Sequence, residues 1–140
     1  MATDALDPAI LERWNHCGYY TLVGMRVERA DNDGSLFRIE ITPEHTQLYG
    51  TAHGGIIAGM LDAAMALALL ARMPADEGCA TIEMKANFTA PGNPGELTGT
   101  GSVIDMGRRI AVARAEIHGP DGRLVATSQG TFMRFAAGVA

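Results

Sequence analysis

HGGIIAGMLDAAMALALL, residues 53–70, decides how the rest of the chain is read. From Ile56 to Leu70 it holds only Ile, Ala, Gly, Met and Leu, apart from one carboxylate, Asp62. A segment apolar on nearly every side and shorter than the roughly 20 residues of a membrane span reads as a core helix. It ends near Arg72 and Met73, because Pro74 has no N–H with which to continue it.

The flanking segments change period. Asp7 followed by Pro8 is an N-cap with a first-turn proline, and Ile10, Leu11 and Trp14 recur at helical spacing, which predicts a short N-terminal helix over about 7–17. MRVER (25–29) and SLFRIEIT (35–42) alternate with period two and form a hairpin across ADNDG (30–34). PEHTQLYGTAHGG (43–55) is loop. After the long helix, ATIEMKANF (80–88), LTGTGSVIDMG (97–107), RIAVARAEIHG (109–119) and RLVATSQGTFMRF (123–135) all read as strands, the last two joined by the turn PDG.

A helix apolar all round must be covered all round, and an antiparallel sheet curled about it is the economical cover. The expected fold is therefore α+β, the hotdog architecture: one antiparallel sheet wrapped around one long central helix. The 140 residues, with no repeat or linker, are expected to make a single domain over 1–140.

Composition excludes several function classes. A net charge of -5 with no basic stripe argues against a nucleic-acid surface. Cys17 and Cys79 stand far apart without CxxC spacing and read as free thiols in a reducing compartment. His16, His45, His53 and His118 offer no metal-ligand pair, so neither a metal nor another cofactor is expected. The N-terminus MATDALDPAILERW lacks the basic start and apolar run of a signal peptide, and a soluble, cytoplasmic protein without membrane contact is expected.

Asp62 carries the chemistry. A carboxylate in an apolar segment costs several kcal/mol unless it is neutralised or hydrogen-bonded. Taken alone, it reads as readily as a structural group, facing a subunit contact or capping a neighbouring loop, as a functional one. Its surroundings add Gly54 and Gly55 at the first helical turn, where free N–H groups and the positive end of the macrodipole can hold an oxyanion. Gly54 and Asp62 lie about 12 Å apart along one helix, so one chain cannot aim both at one atom. Two such helices antiparallel about a two-fold axis can, which makes a homodimer the minimal active unit.

GTAHGGIIAGMLDAAMA (50–66), ATIEMKANFTAPG (80–92) and GRRIAVARAEI (107–117) together resemble the hotdog acyl-CoA thioesterases, specifically the PaaI-like, phenylacetate-pathway branch of the 4-hydroxybenzoyl-CoA thioesterase superfamily. The likeness runs over roughly residues 20–135 in element order, and HGG followed by an acid nine residues after its histidine is its most specific part. The resemblance implies hydrolysis of acyl-CoA thioesters to free acid and CoA. It implies that the Gly54 N–H polarises the thioester carbonyl and that Asp62 is nucleophile or general base. Gln47 falls where the family has Asn or Gln to orient the carbonyl or the water, and Thr81 where relatives hold the water with Ser or Thr.

His53 is read mainly as a structural residue that fixes the loop and, with Gly55, as part of the substrate-binding turn. Coenzyme phosphates need cations, which the family places in and after the fourth strand. Arg108 and Arg109 are candidates, as is Lys85, placed on the same strand face as Thr81 by the two-residue period. Small residues at Ala58, Gly59 and Ala63 leave room for an aryl or medium-chain acyl group. A homotetramer is the expected assembly. A hotdog hydratase or dehydratase would need a histidine paired with the acid, and a non-catalytic acyl-CoA-binding protein would be expected to lack Gln47, Asp62 or Thr81.

Overall fold

The computed structural model describes residues 7–137. Two short helices, α1 (Pro8–Asn15) and α2 (Gly18–Val23), lead into β1 (Arg26–Asp31) and β2 (Gly34–Ile41). A single 3-10 turn, Pro43–His45, and a loop precede the long helix α3 (Gly54–Leu70), after which β3 (Glu77–Phe88), β4 (Gly95–Met106), β5 (Ile110–His118) and β6 (Leu124–Ala136) complete the chain. All six strands join one antiparallel sheet in the order β1-β2-β4-β5-β6-β3. The sheet wraps α3, as the apolar segment required.

The core lies between them. Ile57, Met60, Leu61, Ala64, Met65, Leu67 and Leu69 of α3 are buried against Phe37, Ile39, Leu97, Ile117 and Phe132 of the strands. Each fully buried Leu, Ile, Met or Phe side chain among them stabilises the fold by about 1.5–3 kcal/mol relative to its exposed state. One contact sets how deep the helix sits. A β-carbon on Gly101 would strike the carbonyl oxygen of Ala64, so glycine alone lets β4 come this close. The Ser35 hydroxyl donates to that same carbonyl at 2.7 Å, which satisfies both buried polar groups.

The N-terminal region differs from its sequence reading. The Asp7 side chain caps α1 by accepting from the Ala9 N–H at 2.9 Å, as expected, but α1 ends at Asn15. The Asn15 amide then mimics a strand partner, donating to the Val27 carbonyl at 3.1 Å and accepting from the Val27 N–H at 2.7 Å. A second helix, α2, follows where only connection was expected. Six residues are too few for a stable isolated helix, and α2 is held by its buried Tyr20.

At the other end of α3, the last helical residue is Leu70, and i→i+3 bonds from Arg72 to Leu69 and from Met73 to Leu70 carry the chain tightly to Pro74.

Candidate active site

The N-terminus of α3 is built from a loop that holds itself. Thr46 bridges to Ala52, and the Ala52 N–H donates to the Gly92 carbonyl at 2.7 Å. His45 ties this loop to α2: its Nδ1 accepts from the Thr42 N–H at 3.0 Å and its Nε2 donates to the Val23 carbonyl at 2.7 Å. His53 is the N-cap, with Nδ1 accepting from the Gly55 N–H at 2.8 Å, the place usually taken by Ser, Thr, Asp or Asn. Its structural reading from sequence thus has a definite form. Because His53 takes the Gly55 N–H, the Gly54 N–H is the forward-pointing donor that no acceptor takes among the described residues. Phe88, at the end of β3, packs beside Gly54.

Asp62 sits two turns further on, partly buried. Its Oδ1 accepts from the Thr81 hydroxyl at 2.6 Å, while Oδ2 has no donor among the described residues. Asp62 and Thr81, singled out separately in the sequence, are therefore one unit. Cys79, two residues before Thr81, lies against the Ala66 carbonyl one turn beyond Asp62. Burial, with a smaller contribution from the Asp62 charge, pushes the Cys79 thiol up to about 11. Burial likewise raises the Tyr20 phenol above its ordinary range, with Cys17 and Asp62 adding to the shift.

Gly59 does not leave acyl room as expected. A β-carbon there would overlap the Tyr19 hydroxyl, so the ring of α2 already occupies the space over Gly59. Tyr19 is invisible as a site residue in the sequence because α2 itself is.

Gln47 is turned into its own loop. Its Nε2 donates to the Thr51 hydroxyl at 2.7 Å and its Oε1 accepts from the Tyr49 N–H. Lys85 is not on the Thr81 face. A bulge between Thr81 and Glu83 shifts the register, so Thr81 lies opposite buried Phe132 whereas Lys85 pairs with exposed Gln129 on the outer face. Arg108 and Arg109 are exposed in the β4–β5 turn and form no ion pair among the described residues. Arg134, which sequence reasoning missed, pins that turn: Nη1 donates to the Gly107 carbonyl at 2.7 Å while Nη2 pairs with Glu77 at 2.7 Å. Arg134 is opposite Cys79 across the β6–β3 pair. The arginine turn therefore lies two strand spacings, roughly 10 Å, from the start of β3 that carries Cys79 and Thr81.

A family model described as the thioesterase superfamily matches residues 49–126, which include Gly54, Asp62, Thr81 and the arginine turn. The chain belongs to the thioesterase superfamily. It is an enzyme of thioester hydrolysis. It is 26% identical over 133 residues to the medium/long-chain acyl-CoA thioesterase YigI of Escherichia coli K12, covering 84% of this chain and 86% of that protein. A thioesterase family protein from Silicibacter pomeroyi superposes with a TM-score of 0.84 at 25% identity, covering 90% of this chain and 95% of that one. The E. coli PaaI protein of the phenylacetic acid degradation operon shares the fold, with a TM-score of 0.82 at 20% identity and 92% of each chain covered.

Proposed function

We propose that the protein hydrolyses acyl-CoA thioesters with aryl or medium-chain acyl groups, in the cytoplasm, through a site shared between two copies of the chain. The observation that carries this reading is the Asp62 carboxylate, fixed on one oxygen by Thr81 at 2.6 Å and free on the other. The thioester carbonyl of the substrate accepts from the Gly54 N–H, and Asp62 either takes a proton from water as it adds to the carbonyl carbon or attacks that carbon itself. In both routes the carbonyl oxygen becomes an oxyanion at the Gly54 N–H, a helix-terminal donor worth about 2.7–4 kcal/mol in comparable holes. Collapse breaks the C–S bond and releases CoA as thiolate; in the water route Asp62 hands back the proton it took, whereas in direct attack the thiolate takes its proton from solvent and water then cleaves the acyl-Asp62 anhydride to free acid and carboxylate. A rapid-quench mass spectrum separates the routes, since an acyl adduct on Asp62 marks direct attack.

Association of two copies is supported by what the single chain leaves open. β3 is a sheet edge whose residues 80–83 are exposed, and Leu48 and Tyr49, in the loop before α3, are 99% and 90% exposed. Unpaired edges and exposed apolar side chains of this size are features that protein interfaces cover. Pairing such dimers into a homotetramer is the assembly the PaaI-like resemblance implies. Arg108 and Arg109 meet the coenzyme phosphates, and Gln47 reaches the substrate or water only after leaving Thr51.

No histidine hydrogen-bonds Asp62 among the described residues, which counts against a hydratase. The test is a panel of aryl, short and long acyl-CoAs with a thiol-reactive dye reading free CoA. Turnover that is lost in a folded Asp62→Asn protein supports the reading. No turnover on any member overturns it.

A further inference from the structure

A large cavity lies away from the Gly54 end of α3. It measures about 1030 Å³, at the upper end of what drug-sized ligands occupy. Its walls are mostly apolar: Ile10 and Trp14 of α1, Leu70 and Met73 at the end of α3, Cys79 of β3 and Phe135 of β6. Glu12, Arg13 and His16 of α1 are exposed and form its rim.

Two observations join this cavity to Asp62. Cys79 lines it while lying against the Ala66 carbonyl, and Thr81, two residues on, holds the carboxylate. Asp62, Ala66 and Leu70 follow one another at four-residue spacing and share a face of α3 that the sheet leaves partly uncovered. In the other direction along this face, Gly59 is covered by Tyr19. A hydrocarbon attached to a carbonyl at Asp62 is thus stopped toward the N-terminus of α3 and has apolar space toward its C-terminus.

We infer that this cavity takes the acyl tail of the substrate, with α1 as its outer wall, so that the tail lies within the subunit that supplies Asp62. The inference rests on the hydrolysis proposed above and adds where the tail goes. From Asp62 to Leu70 the helix rises about 12 Å. An extended chain advancing roughly 1.3 Å per C–C bond covers that length in about nine carbons. Acyl groups shorter than this leave the far part of the cavity empty and forgo its burial energy, whereas a dodecanoyl tail fills it. The chain-length preference of the enzyme is set by α1 and the end of α3.

Trp14 is the only tryptophan of the chain and lines the cavity, so its fluorescence reports occupancy without any catalytic step. Titration of the intact protein with 12-bromododecanoic acid, whose heavy atom quenches on contact, is expected to give saturable quenching that 4-bromobutyric acid does not give at equal concentration. Absence of saturable quenching, or equal quenching by both acids, overturns the inference. Leu70→Trp, read by turnover alone, shortens the cavity at its far end. It is expected to lower kcat/KM for dodecanoyl-CoA at least tenfold more than for butyryl-CoA, and equal losses overturn the inference. A protein that hydrolyses no thioester refutes the proposed function but still answers the quenching experiment.

Discussion

The proposed two-chain site makes a quantitative prediction through subunit mixing. Asp62→Asn removes the acid, and Gly54→Pro removes the N–H that no acceptor takes. The structure shows why proline fits there. Gly54 opens α3 at a position proline favours, its φ is not positive, and His53 before it has ψ 138°, outside the α region that a following proline disfavours. A β-carbon at Gly54 meets Phe88 at 3.7 Å, an ordinary contact. Each homodimer loses its chemistry; Gly54→Pro alone is expected to cost 10²–10³-fold if its donor matches known oxyanion holes. Unfolded together in equal amounts and refolded, half the dimers are mixed, and each mixed dimer holds one site with both lesions and one with neither. Activity is expected to return to about a quarter of the unmutated protein, one intact site in four. The assay is release of free CoA, with a Gly54→Pro, Asp62→Asn double variant mixed with unmutated chain as the reverse control. Recovery no greater than the sum of the two homodimers, with exchange verified by mass, would refute a site built from two chains.

Four further outcomes are expected. Thr81→Val removes a hydrogen bond to a charged oxygen, worth about 1.5–3 kcal/mol, and should lower kcat by roughly ten- to hundredfold with KM little changed; failure of Thr81→Ser to restore kcat would deny the hydroxyl this role. Gly59→Ala should raise Tm less in the natural background, where the Tyr19 ring has to move aside, than in a Tyr19→Ala background, where the whole helix-propensity gain of about 1 kcal/mol is realised. Changing Arg108 and Arg109 together to Ala should raise KM for an acyl-CoA far more than for the matching pantetheine thioester, as steady-state kinetics on both will show. Hydrogen bonding from Arg29 holds the Asp31 carboxyl below the usual carboxylate range, so its stabilisation is present above the unfolded value of about 3.9 and fades as pH falls through the lower folded value. Denaturant melts of Asp31→Asn should therefore show a deficit near pH 7 that narrows below about pH 4.

Periodicity made the main architecture readable. Seventeen helical residues with one charge, and strands that alternate, left few ways to bury α3. Asp62 and Gly54 stood out because an apolar segment makes a carboxylate conspicuous and a helix start makes glycine purposeful. What stayed hidden depends on contacts distant in sequence. Helix α2 is six residues long and owes its existence to where Tyr20 is buried. The bulge after Thr81 reverses the facing of Lys85, and a bulge has no period of its own to read. Gly59 looked like space because composition says what a residue lacks, never what fills the gap. Gln47 sits in its motif position, but both ends of its amide are engaged by neighbours four and two residues away.

Contact between Gly101 and Ala64 is made backbone to backbone, two residues from Asp62. Rotamers cannot relax it, and most substitutions cannot reach it. The height of the carboxylate above the sheet is therefore anchored independently of the residues inferred to bound the acyl tail. On the proposed function, walls and reaction centre can diverge separately: α1 can be rebuilt for a longer, shorter or bulkier acid while Asp62 stays seated on the same pivot. A fold assembled in this way lends itself to lineages whose members differ in the acids they release and agree on how they release them.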